Sequence, residues 1–318
     1  MGDYMYKGLK VSLVIPAYNE QKLIRPTLEN VPGTIDRIYV VDDASTDNMP
    51  NVVKEIQKKD NRIVLILHKK NKGVGAAIIT GYKQSVRDNY DIAVVIGGDN
   101  QMDLRDLPNF LEPISKGETD YVKGNRFLLG GNAYTDMPRK RFFGNSVLSF
   151  MTKMASGYWK IFDTQDGYTA ITKEAIEKVD WSKAWKGYGY VSDFLVLFNV
   201  YNLRVKDVPR RAIYLKGERQ SQIKIGRYIL KLTPRLIKRF FWRINTKYFF
   251  QDFHPLIFFY YFGIILTPLG LIMGIWIIWK AIIDSLSVNW VILCALLIII
   301  GIQFLLFAML FDVQKNSF

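Results

Sequence analysis

Apolar and polar positions divide the chain into three stretches of different rhythm. Between residues 11 and 96, four apolar runs of five residues (11–15, 37–41, 63–67 and 92–96) alternate with helical spacing at 21–30, 47–59 and 73–87. Runs this short, rich in Val and Ile and bounded by turn formers, predict buried parallel strands rather than helices. The alternation predicts an α/β fold with a doubly wound sheet, whose ligands sit at the carboxyl ends of the strands. Residues 223–250 follow a second rhythm, in which Ile225, Ile229, Leu232, Leu236, Ile237 and Phe240 are interleaved with cations. With Pro234 dividing it, this stretch predicts two short amphipathic helices in a headgroup layer. The third stretch holds two runs, 256–279 and 288–311, of 24 residues each without a charge. At 1.5 Å per residue each reaches about 36 Å, enough to cross the ~30 Å hydrocarbon layer.

Charge orients this arrangement. The formal net charge is +14, and eight basic residues between 223 and 250 are accompanied by no Asp or Glu. Positive charge next to a span predicts a cytoplasmic flank. Residues 1–10 lack the apolar core of a signal peptide, so the large domain is expected in the cytosol. The expected organisation is a catalytic domain over 1–222, basic interfacial helices over 223–252, and a two-span hairpin over 253–318 with both ends cytoplasmic. Inside the spans, Asn289 and Gln303 are candidates for bonds between helices or with a second chain in a homo-oligomer. One cysteine, Cys294, and two histidines, His68 and His254, leave no material for a disulfide or a His/Cys zinc site. A nucleic-acid role is disfavoured, because the charge lies beside apolar spans and no nucleic-acid module accompanies it.

Polar clusters follow three of the strand runs: Pro16-Ala17-Tyr18-Asn19-Glu20, then Asp42-Asp43-Ala44-Ser45-Thr46-Asp47, then Gly97-Gly98-Asp99-Asn100-Gln101-Met102-Asp103. A rim lined by carboxylates suits Mg²⁺ or Mn²⁺ holding a diphosphate, since hard cations take oxygen ligands. For Ser45 and Asp47 helix capping is an equally good explanation. Gly73-Val74-Gly75 resembles part of a dinucleotide fingerprint but follows the third strand and lacks its last small residue. Beside Lys69, Lys70 and Lys72 it reads instead as a turn where backbone and cations approach a nucleotide or its phosphates.

Four of these segments in order, 14–20, 40–47, 71–77 and 99–103, resemble the family 2 glycosyltransferases of GT-A fold. Gly124-Asn125-Arg126-Phe127, Arg141, residues 163–168 and Gly189-Tyr190-Val191-Ser192-Asp193 are similar to the polyprenyl-phosphate sugar synthases within it. The resemblance spans about residues 10–225 and implies transfer of one sugar from a nucleotide sugar to polyprenyl or dolichyl phosphate, with inversion. It implies Pro16, Tyr18, Glu20, Asp42, Asp43, Lys72, Gly73, Asp99, Asn100 and Gln101 at the nucleotide sugar, with Asp99 and Gln101 at the metal. It places Arg126 and Arg141 at the acceptor phosphate, with Arg139 a neighbour that contributes or is merely solvated. A diphosphate-covering loop would carry Arg219, Ser221 and Lys224. Asp193 would orient the acceptor or act as base; its plainer reading is an N-cap for a helix over 194–201. Trp159, Trp181 and Trp185 fit a core better than a sugar platform.

Where that group has Asp-x-Asp, this chain has Gly97-Gly98-Asp99, so either Asp99 and Gln101 hold the metal with diphosphate and water, or Asp103 compensates. The Gln-x-x-Arg-Trp signature of processive synthases is absent, which favours single transfer. A UDP-sugar, glucose or N-acetylglucosamine, is preferred as donor. GDP-mannose, transfer to a lipid-linked saccharide, and a non-catalytic membrane scaffold are the alternatives. A lipid phosphate is largely ionised at neutral pH, its second pKa being about 6, so it needs cations and positioning more than a strong base.

Overall fold

The computed structural model describes residues 6–213, 225–283 and 287–316, and the chain separates into two compact units, Met1–Phe240 and Phe241–Phe318. The first opens with β1 (Val11–Ala17), α1 (Ile24–Glu29), β2 (Arg37–Asp42), α2 (Met49–Gln57), β3 (Ile63–Leu67), α3 (Val74–Arg87) and β4 (Ile92–Val95). It continues through α4 (Leu107–Ser115), β5 (Tyr121–Asn125), α5 (Ala133–Asp136), α6 (Arg139–Ser156), β6 (Thr169–Thr172), α7 (Lys173–Lys178), α8 (Tyr190–Val200) and β7 (Val205–Pro209). The strands form one sheet in the order β3-β2-β1-β4-β6-β5-β7.

The first four strands are parallel, as the apolar runs predict. Every residue of β4, and all of β1 except Pro16, is buried, because helices cover both faces of the sheet. β6 runs antiparallel between β4 and β5, and β7 returns parallel to β5. This mixed half carries no comparable run of apolar residues, since β5 and β7 place Lys123, Asn125 and Asp207 inside a buried polar network.

α9 (Ile225–Asn245) is one helix, followed by a π-helical turn at Thr246–Gln251. The expected break at Pro234 does not occur. Proline removes a single intrahelical amide bond, and buried Leu232 and Leu236 on either side hold the helix through it. In the second unit, α10 (Leu256–Ile283) and α11 (Val288–Lys315) each have 28 residues and contain 18-residue stretches of mean hydropathy 2.1 and 3.0, long and apolar enough to cross a membrane. They pack as a hairpin through small residues: a side chain at Gly301 would collide with Thr267, and one at Gly270 with Ile298. Asp312, fully buried near the end of α11, accepts both Nη atoms of Arg243 at 2.8 and 2.9 Å and the Tyr248 hydroxyl at 2.7 Å. Asn289 and Gln303 are both exposed on the hairpin rather than turned between its helices.

Candidate active site

Three loops at the carboxyl ends of β1, β2 and β4 come together, as the doubly wound pattern requires. The first two are laced by short polar side chains. Asn19 accepts from the Thr46 amide at 2.8 Å, Ser45 Oγ accepts from the Asn19 amide at 2.9 Å, and Asp47 accepts from the amides of Gln21 and Met49. Asp47 therefore caps and bridges at once. Asn19, Ala44, Asn100 and Asp163 all have left-handed backbone, with φ between 48° and 64°. Strain of this kind persists only where surrounding bonds over-determine it, and it collects at functional sites.

The two carboxylates after β2 differ. Asp42 Oδ1 accepts from the Ser45 amide at 3.0 Å. Asp43 accepts from His68 Nδ1 (2.7 Å), the Lys72 amide (2.8 Å) and the Gly73 amide (2.7 Å), while His68 Nε2 reaches Thr80. Asp43 thus clips the start of α3 to the end of β2. The glycines serve a close backbone approach. Added side chains at Gly73 and Gly75 would strike the carbonyls of Lys186 and Trp185, and the Ala76 amide already donates to Lys186 O at 3.2 Å. Tyr18 is exposed, Pro16 and Glu20 half-buried, along the mouth of the first loop.

After β4, half-buried Asp99 turns back and accepts from the Gln101 amide at 3.2 Å. A side chain at Gly97 would stand 2.9 Å from Asp99 Oδ1, so the missing first aspartate is the space that this rotamer uses. Burial lifts the Asp99 carboxyl above its ordinary range, against the opposing pull of the Gln101 amide and the Arg210 charge. Asp103 does not replace the missing ligand: both its oxygens are held by Arg105. Among the described residues no three His, Cys, Asp or Glu side chains gather as a metal cage. The donor set nevertheless fits Mg²⁺ or Mn²⁺, which need only one or two carboxylates when substrate phosphates complete the shell.

On the other side, Arg126 donates Nε and Nη2 to the two oxygens of Asp163, both at 2.7 Å. Burial raises the Asp163 carboxyl, but the Arg126 charge and hydrogen bonds outweigh this and hold it below the usual carboxylate range. Arg126 Nε is also 3.4 Å from Asp166 Oδ2, and that oxygen accepts Arg210 Nε at 2.5 Å. Arg210 Nη1 then reaches the carbonyl of Gln101 at 3.3 Å. Alternating charges consequently run from Arg126 through Asp166 and Arg210 to the loop of Asp99. The segment 210–213 joins both sides. Ile213 donates to Gln101 O, whereas Ala212 exchanges two hydrogen bonds with the Asn132 side chain.

Sequence reasoning missed Arg210, Asn132 and Ala212, because nothing near Pro209 resembles a strand-end polar cluster. Half-buried Arg141 lies in the first turn of α6 next to Phe142, whose ring packs on Phe127 with centroids 5.0 Å apart, so Arg126 and Arg141 share one neighbourhood. Arg139 is exposed. Arg219, Ser221 and Lys224 lie outside the described residues. Asp193 is within α8 rather than at its N-cap, which is Gly189. Its two oxygens accept Arg239 Nε (2.6 Å), Arg239 Nη2 (2.7 Å) and the Trp185 amide (2.8 Å). Trp181 is core, and Trp185 lies beneath the guanidinium of Arg235, 3.1 Å from its ring centroid.

The profile of Glycosyl transferase family 2 matches residues 12–180. The UDP-N-acetylglucosamine–dolichyl-phosphate N-acetylglucosaminyltransferase of Methanococcus voltae is 33% identical over 231 residues, covering 68% of this chain and 91% of its own. The polyprenol monophosphomannose synthase of Mycolicibacterium smegmatis is 28% identical, covering 57% and 69%. Among solved structures, glucosyl-3-phosphoglycerate synthase from Mycobacterium tuberculosis in complex with Mn²⁺ and UDP-glucose superposes with a TM-score of 0.53 at 18% identity, covering 73% of this chain and 79% of that one. That likeness bears on the fold alone.

Proposed function

The chain belongs to glycosyl transferase family 2, and from that premise we propose that it transfers one sugar from a nucleoside diphosphate to the phosphate of a polyprenyl lipid, inverting the anomeric carbon. The relatives from Methanococcus and Mycolicibacterium are named for lipid-phosphate acceptors. UDP-N-acetylglucosamine is the favoured donor, on the 33% identity to the Methanococcus enzyme. The observation that carries the reading is the charged path from Arg126 through Asp166 and Arg210 to the Gln101 carbonyl. It brings an anion-binding arginine to the loop suited to a metal diphosphate.

In this reading Pro16, Tyr18, Glu20 and Asp42 bracket base and ribose, and Asp99 with Gln101 faces the metal. When bound, Mg²⁺ or Mn²⁺ neutralises the leaving diphosphate. Arg126 and Arg141 receive the acceptor phosphate, the guanidinium fork matching phosphate oxygens. α6 opens on Arg139, Lys140 and Arg141, cations at the helix end that the macrodipole makes unfavourable for them. An incoming phosphate relieves that repulsion. Transfer to a sugar hydroxyl would require a base, and Asp193 is disfavoured for it because Arg239 and the Trp185 amide engage both its oxygens. The basic flank of the spans supports a cytoplasmic catalytic face.

The test incubates purified protein with polyprenyl phosphate and, separately, labelled UDP-N-acetylglucosamine, UDP-glucose and GDP-mannose, with and without EDTA. Label should enter the lipid extract from UDP-N-acetylglucosamine, and disappear with EDTA and with Asp99→Asn. Incorporation only when a lipid-linked saccharide replaces polyprenyl phosphate would reject this acceptor.

A further inference from the structure

α6 and α9 span 18 and 21 residues without a single Asp or Glu. In water, helices so cationic should point their charges outward and their apolar residues into the domain. α9 does so only in part: Leu232 and Leu236 are buried and Lys231 and Lys238 exposed, yet two of its cations and two of its apolar residues are exchanged. Arg235 lies on Trp185 and Arg239 on Asp193, both turned inward, while Leu230 and Ile237 are 76% and 52% exposed. α6 has a matching stripe, with Phe143 and Phe150 at i and i+7 exposed by 71% and 54%. The two helices touch where Thr233 Oγ1 meets Met151 Sδ at 4.0 Å. Beside them, Tyr134 packs edge-on against Phe127 yet is 72% exposed. Soluble monomers rarely leave apolar patches of this kind to water.

We propose that the outer stripe of α6, together with the outer face of α9, is a docking surface for the headgroup–acyl boundary of an anionic bilayer. Exposed Lys231 and Lys238 border the apolar side chains on α9, as does Arg139 on α6. Bulky apolar groups edged by cations match an anionic interface. A second copy of the same face is disfavoured, since two acid-free surfaces would set cation against cation. The chain also carries two bilayer-length helices, so a membrane is the surface at hand. The inference rests on the lipid-acceptor reading for its purpose: docking α6 brings its first turn, with Arg141, to the depth of lipid phosphates.

The experiment uses the full chain in phosphatidylglycerol-containing nanodiscs, with bimane on single cysteines at Phe143→Cys, Phe150→Cys, Ile237→Cys and, as control, exposed Lys54→Cys, each in a Cys294→Ala background. Lipid bearing a nitroxide just below the headgroup should quench positions 143, 150 and 237 several-fold more than 54, and quenching should fall in phosphatidylcholine alone. Quenching at 237 with 143 and 150 no better than 54 would overturn the α6 surface. So would emission at 143 that changes on dilution with unlabelled protein and ignores the nitroxide, which would assign the face to a second copy. Sugar transfer is measured on the same samples; quenching without any transfer would remove the enzymatic reading and leave the surface standing.

Discussion

In the half of the sheet built from β1 to β4, rim carboxylates are held mainly by backbone amides: Asp42 by Ser45, Asp47 by Gln21 and Met49, and Asp43 by Lys72 and Gly73 together with the His68 ring. In the half built from β5 to β7, buried carboxylates meet basic side chains instead: Asp163 meets Arg126, Asp166 meets Arg210, Asp193 meets Arg239 and Asp207 meets Lys123. The first arrangement fixes loop backbone and suits a donor that brings its own cation. The second matches each cation with a carboxylate, so that the pairs fix where the guanidinium and ammonium groups stand.

The sharpest way to break this contrast is to remove one charge from each half. Asp163→Asn should cost about 3–5 kcal/mol, because it leaves the largely buried Arg126 guanidinium with the longer contact to Asp166. Asp43→Asn should cost only about 1–3 kcal/mol, the loss of amide bonds to a carboxylate. Urea unfolding of the two variants measures both, and equal losses would erase the distinction. Next in size, Arg210→Met should lower kcat by about 10²-fold, since it removes the cation between the two halves. Arg210→Lys should recover part of kcat with KM for the nucleotide sugar nearly unchanged. A loss confined to KM would make Arg210 a mere donor contact.

The smallest effect is in pH. Arg126 holds Asp163 below its unfolded value, which is about 4. Its stabilisation is therefore complete above that value and is lost as pH falls through the lower, folded one. Thermal melts should show the wild type losing stability on acidification below about pH 4 more steeply than Asp163→Asn. Parallel curves would show that this pair does not contribute to acid sensitivity.

Much of the donor side was legible along the chain. Buried parallel strands need uninterrupted apolar runs, and loops at their carboxyl ends need turn-forming polar residues, so 11–15 through 92–96 and the clusters after them stand out. What the chain did not show locally was any contact with a partner distant in sequence. Gly73 and Gly75 face the Lys186 and Trp185 carbonyls, and Asp43 faces His68, contacts that no local pattern encodes. The plainer reading of Asp193 as a cap fails because Gly189 holds that position, and Arg239, 46 residues later, engages the carboxylate.

What the amino-acid order determined by itself is whatever depends on neighbours within a turn or two: the strand and helix runs, the two apolar spans, the acid-free basic stretch, and the motifs of a family 2 transferase. Only the tertiary structure decided how each charge is used. It set Arg210 between Asp166 and Gln101, turned Arg235 and Arg239 inward, and left Phe143 and Leu230 outside. Hydrophobic periodicity is a local property of the chain, whereas an ion pair between residues 44 or 46 positions apart exists only once packing has brought distant elements together.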